Sequence, residues 1–104
     1  MIANATALLD AIGEPTRRTI VERLVDRPSA VSDLAKDLPI TRSAVSQHLQ
    51  ILKTVGLVTD KAVGTRRIYT VDPEALAIIR AYFDAFWTRS LAAFADAAEQ
   101  PEDT

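Results

Sequence analysis

The sequence predicts a mostly helical α+β fold of four short helices, a β-hairpin and a long final helix. Three observations predict it. Apolar residues recur at three- and four-residue spacing up to about residue 54. The period then drops to two across residues 57–71. From Asp72 to about residue 99 a helical pattern runs without a breaker. A length of 104 residues suits one domain, here 1–99, with a polar tail at 100–104. A composition of 48% hydrophobic and 25% charged residues is that of an ordinary globular chain, not a disordered one.

The elements follow in order. Ala5, Leu8, Leu9 and Ile12 share one face of a first helix over residues 4–12, ended by Gly13. Glu14-Pro15 opens a second, with proline at the first helical position. Its apolar face is Ile20, Val21, Leu24 and Val25, and Arg27-Pro28-Ser29 breaks it. A short third helix covers residues 31–37, with Leu34 and Ala35 inside. Leu38-Pro39-Ile40-Thr41 is a tight turn, and Thr41 caps a fourth helix over residues 42–54. Val45, Leu49 and Leu52 bury one face of that helix, and Gly56 stops it. Strands at 57–61 and 66–71 are joined through Ala62-Val63-Gly64-Thr65, with Gly64 free to take a positive φ. Asp72-Pro73-Glu74 then supplies a cap, a proline and an acid for the last helix.

Several function classes are excluded. There is no cysteine, so disulfides, thiolate zinc sites and a cysteine nucleophile are absent. That usage is compatible with a cytoplasmic protein. One histidine cannot build a His-rich metal site, and neither metal nor cofactor is expected. No apolar run approaches the ~18 residues of a membrane span, and the start, Met1-Ile2-Ala3-Asn4, carries no basic-then-apolar secretion signal. No nucleophile–base pair or phosphate-cradling glycine loop exists, so the protein does not read as an enzyme. Ser46 and His48, two apart on a helix, point away from each other.

Charge is segregated. Residues 36–67 carry Lys36, Arg42, Lys53, Lys61, Arg66 and Arg67 against Asp37 and Asp60, a local charge of +4 within a chain of net −2. Two short helices around a four-residue turn, followed by a hairpin, make a winged helix-turn-helix pattern. The second helix of such a pair buries one face and offers a small, polar, basic face to a major groove. The fourth helix meets both demands, with Arg42, Ser43, Ser46, Gln47, Gln50 and Lys53 outward. Gln47 suits an adenine, and Arg42 a guanine or a phosphate. Lys61, Arg66 and Arg67 place charge at the hairpin tip, beside a neighbouring backbone or minor groove. Alternation alone does not decide which arginine points outward. Arg17 and Arg18 read equally as phosphate contacts or as partners of Glu14 and Glu22.

The run at 41–53 (Thr-Arg-Ser-Ala-Val-Ser-Gln-His-Leu-Gln-Ile-Leu-Lys), then Gly56-Leu57-Val58 and Gly64-Thr65-Arg66-Arg67-Ile68-Tyr69, resembles the ArsR/SmtB family of bacterial repressors. So does Gly13-Glu14-Pro15-Thr16-Arg17-Arg18 before an apolar helix. The resemblance spans roughly residues 8–95. It implies a homodimeric winged-helix DNA binder that represses transcription until an inducer binds. Carried over, it implies Thr41, Arg42, Ser43, Ser46, Gln47 and His48 as major-groove readers and Arg66 and Arg67 as wing contacts. The chain departs from the metal-sensing members: no cysteine stands near residues 34–36, and no histidine follows Asp72.

The last helix carries a wide stripe of Leu76, Ile79, Phe83, Phe86, Trp87, Ser90, Leu91 and Phe94, too wide for one small domain to cover. With Ile2, Leu8, Leu9 and Ile12 of the first helix, it predicts pairing across a two-fold axis. The interface expected is Leu8, Leu9, Ile79, Phe83, Phe86, Trp87 and Phe94. An unknown small hydrophobic inducer would fit between these helices. The partners expected are therefore double-stranded DNA and a second copy, with no membrane. The rival readings are a winged-helix protein-interaction module without specific DNA binding and a non-specific architectural DNA binder.

Overall fold

The computed structural model describes residues 4–99; Ile2 and the expected tail at 100–104 lie outside the described residues. The elements are α1 (Ala5–Gly13), α2 (Pro15–Asp26), α3 (Val31–Asp37), α4 (Arg42–Thr54), β1 (Val58–Val63), β2 (Arg66–Val71) and α5 (Pro73–Glu99). The order is that of a winged helix-turn-helix.

Side chains start most of the helices. Asn4 Oδ1 accepts the Ala7 N–H at 2.9 Å and opens α1. Glu14 caps α2 with both oxygens, taking Thr16 N–H at 3.1 Å and Arg17 N–H at 2.8 Å. Those two amides hold the Glu14 carboxyl below the ordinary carboxylate range. Arg17 Nε donates to the Ala11 carbonyl at 2.8 Å, and Arg18 Nη1 to that of Ile12 at 3.2 Å. Both arginines therefore close the end of α1, where carbonyls lack intrahelical partners. Gly13 ends α1 without a left-handed φ, because these arginines and Glu14 make the corner instead.

The end of α4 does need a left-handed residue. Gly56 has φ 86°, Leu57 N–H bonds the Leu52 carbonyl at 3.0 Å, and Gly56 N–H bonds that of Lys53 at 3.0 Å. This is a Schellman cap, and its hydrophobic partners Leu52 and Leu57 are both fully buried. Leu57 is thus spent on the cap, and pairing starts at Val58 rather than at residue 57. The strands continue to Val63 and Arg66, so the turn is only Gly64-Thr65, not the four residues expected. Gly64 at φ 64° supplies the one positive φ that a two-residue II′ hairpin demands. Ser29, just before α3, bridges Tyr69 through two backbone bonds of 3.1 and 2.9 Å, which pins the wing to the helical body.

The core collects Leu8 and Ala11 of α1, Ile20, Val21 and Leu24 of α2, and Leu34 of α3. Val45, Leu49 and Leu52 of α4 complete it with Leu57, Val58, Val71 and Ala75. Leu8 is fully buried there, so it belongs to the domain's own interior and cannot line an intermolecular face. Val25, expected on the buried face of α2, is 57% exposed, because the covered arc is centred on Ile20 and Leu24. Only the start of α5 packs on this body, through Ala75, Ile78 and Ile79. Every residue from 80 to 99 is exposed.

Candidate nucleic-acid interface

Helix α4 is fixed from behind and open in front. Val45, Leu49 and Leu52 are fully buried, while Arg42, Ser43, Ser46, Gln47, Gln50 and Lys53 are exposed. Thr41 is exposed too, with its Oγ1 accepting the Ala44 N–H at 3.1 Å as the cap of α4. About three turns of helix thus present a polar surface without an acid. His48 is not part of it. The histidine lies on the flank of the buried face, half-buried, with Nδ1 at 3.9 Å from Glu14 Oε2 and no hydrogen bond. A position 240° around the helix wheel from Arg42 turns it toward the α1–α2 corner and away from the groove face.

The wing stands beside α4. Lys61, Arg66 and Arg67 are all exposed. Neighbouring residues of a strand face opposite ways. Arg66 accordingly reaches toward α3 and pairs with Asp33. Arg67 faces the other side, where its Nη1 donates to Asp60 Oδ2 at 3.1 Å. Asp60 also accepts Lys53 Nζ, from the last turn of α4, at 2.9 Å. One carboxylate therefore ties the end of α4 to both strands of the wing. Its side chain is 6% exposed, whereas Lys53 and Arg67 are about half exposed. Between α3, the start of α4 and the wing runs a cleft of about 270 Å³ bordered by Ser32, Arg42, Thr65, Arg66 and Arg67. Ala30, Val31 and Tyr69 complete its wall, and its hydroxyl and guanidinium groups are the kind that receive a backbone phosphate.

The acids in this region are perturbed in one direction. The Lys53 ammonium, followed by Arg67, holds the Asp60 carboxyl below its ordinary range. For Asp33 the Ala30 N–H comes first and Arg66 after it. The unfolded chain protonates such groups near pH 4, the folded chain only at lower pH. Their stabilisation is therefore complete above that range and fades as pH falls through the lowered values. Asp60→Asn is expected to lower the melting temperature by a few degrees at pH 7. The gap to the unsubstituted protein should begin to narrow below about pH 4 and close only as pH falls through the lowered Asp60 value, as thermal unfolding followed by circular dichroism at several pH values will read. A gap that persists unchanged in acid would place the effect outside the ion pairs.

Sequence reasoning missed Asp33 and Asp60. The signal for Asp60 was present, as the one acid between Asp37 and Asp72. What it touches depends on the hairpin register, and the four-residue connection read from the sequence sets Lys61 opposite Arg66 instead of Ile68, a shift of two residues. Among the described residues no three His, Asp or Glu side chains gather as metal ligands, and Asp84 is paired with Arg80 at 3.6 Å. No helix of the described residues is long and apolar enough to cross a membrane.

The profile of the arsR family of bacterial regulatory proteins matches residues 14–60, from the cap of α2 to Asp60. The HTH-type transcriptional regulator Rv2034 of Mycobacterium tuberculosis is 52% identical over 93 residues, which is 89% of this chain and 87% of the relative. The chain belongs to the arsR family. This regulator therefore shares a DNA-binding winged-helix architecture with its relatives. The ArsR-like transcriptional regulator from Rhodococcus sp. RHA1 superposes with a TM-score of 0.75 at 30% identity, covering 93% of this chain and 94% of that one. A crystal structure of a possible transcriptional regulator for arsenical resistance gives a TM-score of 0.72 at 42% identity, covering 92% and 98%.

Proposed function

We propose that the regulator binds double-stranded DNA sequence-specifically as a cytoplasmic homodimer and represses transcription by occluding a promoter. The observation that carries this reading is the exposed, acid-free face of α4, held rigid by three buried residues and flanked by a basic wing. Two copies related by a two-fold axis would set two α4 helices about one helical turn apart, roughly 34 Å, over an inverted repeat. In this arrangement Thr41, Arg42, Ser43, Ser46, Gln47 and Gln50 meet the major groove. Lys53, Lys61, Arg66 and Arg67 meet phosphates. Leu9, Ile79, Phe83, Phe86, Trp87 and Phe94 form the interface between copies. A small hydrophobic inducer between the first and last helices remains part of the proposal.

The division of labour has separable consequences. Arg42→Ala or Gln47→Ala relaxes preference at one position per half-site by about 1–3 kcal/mol. Arg66→Ala or Arg67→Ala weakens all duplexes alike and flattens the dependence of log affinity on log salt by about 0.9 per lost contact. The test is fluorescence anisotropy with DNA from upstream of the regulator's own gene, titrated at two salt concentrations against scrambled competitor. Binding that survives competition and salt supports the proposal. Identical behaviour of α4 and wing variants on every sequence would falsify the division.

A further inference from the structure

The wing and α4 are separate elements, joined by a cap and a short connection, yet a DNA site must meet both at once. Their relative placement is therefore part of recognition. Asp60 sits where that placement is decided. It projects from β1, is almost fully buried, and takes Lys53 Nζ of α4 at 2.9 Å and Arg67 Nη1 of β2 at 3.1 Å. The two cations lie over it, each about half exposed. A phosphate approaching from solvent meets the outer N–H groups of Lys53 and Arg67, with Asp60 beneath them.

We propose that Asp60 is a positioning residue that determines sequence discrimination. It holds the end of the recognition helix and the wing in one fixed relation and aims their cations, without touching DNA itself. The inference rests on the DNA-binding reading above. Its physical basis is the difference between two kinds of complex. Random DNA is bound by cation–phosphate contacts that tolerate loose geometry. An operator is bound by base-edge contacts that require the register to be fixed by phosphate contacts on either side. A loosened Lys53 and Arg67 keep their charge and serve the first kind, but no longer fix the second.

The predicted signature is a divergence of two affinities. Asp60→Asn keeps the side-chain shape and removes the charge. Against a duplex enriched by the unsubstituted protein from a random pool, its affinity falls about tenfold, within the range set by loss of one register-fixing interaction. Against a scrambled duplex of equal length, its affinity is unchanged or higher, because two cations have lost an internal competitor. A parallel fall in both affinities marks a merely structural role and overturns the proposal, as does an unchanged ratio. Should Asp60→Asn not fold, Asp60→Glu carries the same test with both cations intact, because one added methylene displaces the carboxylate from Lys53 and Arg67: the enriched duplex must lose affinity while the scrambled duplex does not, and an unchanged ratio overturns the proposal. If the unsubstituted protein enriches no sequence, the DNA-binding reading fails and this inference with it. If it enriches one and the ratio survives in Asp60→Asn, the inference alone fails.

Discussion

Replacing Phe86 and Trp87 together with glutamate is expected to leave a folded monomer and to lower affinity for a two-half-site duplex by roughly 10²–10⁴-fold. Phe83 and Phe86 are 51% exposed, Trp87 64% and Phe94 75%, all on one side of α5. A helix of 27 residues is about 40 Å long. Beyond Ile79 it leaves the domain, and the radius of gyration of 18.5 Å exceeds the ~13 Å of a compact chain of this size. A stripe of this kind, left to water, forgoes about 1.5–3 kcal/mol for each large side chain that could be covered. A second α5 has the matching pattern at the matching length. Two carboxylates placed in that seam would be desolvated without partners, which association cannot offset. Neither residue touches the core of its own chain, so the melting of the isolated domain should barely change. Light scattering at micromolar concentration and anisotropy on one- and two-half-site duplexes check the result. A stable monomer before substitution, or a dimer after it, overturns the proposed assembly.

Most of the architecture was legible because its boundaries are set by local chemistry. Thr41 and Asp72, read as caps from the sequence, accept from backbone amides at a helix start, as do Glu14 and Asn4, the latter read as the first residue of its helix; such signals lie within three residues of their effect. The inward face of α4 was legible for the same reason, since Val45, Leu49 and Leu52 repeat at helical spacing. Misreadings arose where a residue had two available uses. Leu57 fits a strand by alternation but is the hydrophobic partner of the α4 cap. Leu8 fits an intermolecular stripe but points into the domain, because α1 lies across α2 and α4 as well as α5. His48 fits a groove reader by resemblance, yet its place on the wheel carries it to Glu14. The ion pairs of Arg66 with Asp33 and of Arg67 with Asp60 join residues 33 and 7 positions apart. They depend on three-dimensional placement, which no periodicity in the chain encodes.

The second large effect concerns the back of the recognition helix rather than its front. Leu49→Ala is expected to lower unfolding free energy by about 2–5 kcal/mol, and Gln50→Ala by less than about 0.5 kcal/mol. Leu49 is fully buried, and α4 packs on α1, α2, α3 and β1, so the lost side chain leaves a hole that no single neighbour can collapse into. Gln50, one residue on, is exposed and donates nothing to the core. For a domain with a total stability of about 5–15 kcal/mol, the first change removes a large share. It also frees α4 to shift against the wing, so Leu49→Ala should weaken operator binding although no atom of Leu49 reaches DNA. Gln50→Ala should do the reverse, altering binding at unchanged stability. Urea unfolding at one fixed protein concentration, so that any association is held constant, measures the first quantity, and anisotropy the second. If Leu49→Ala unfolds like the unsubstituted protein yet binds DNA as poorly as Gln50→Ala, the two faces of α4 do not divide their work between holding and reading.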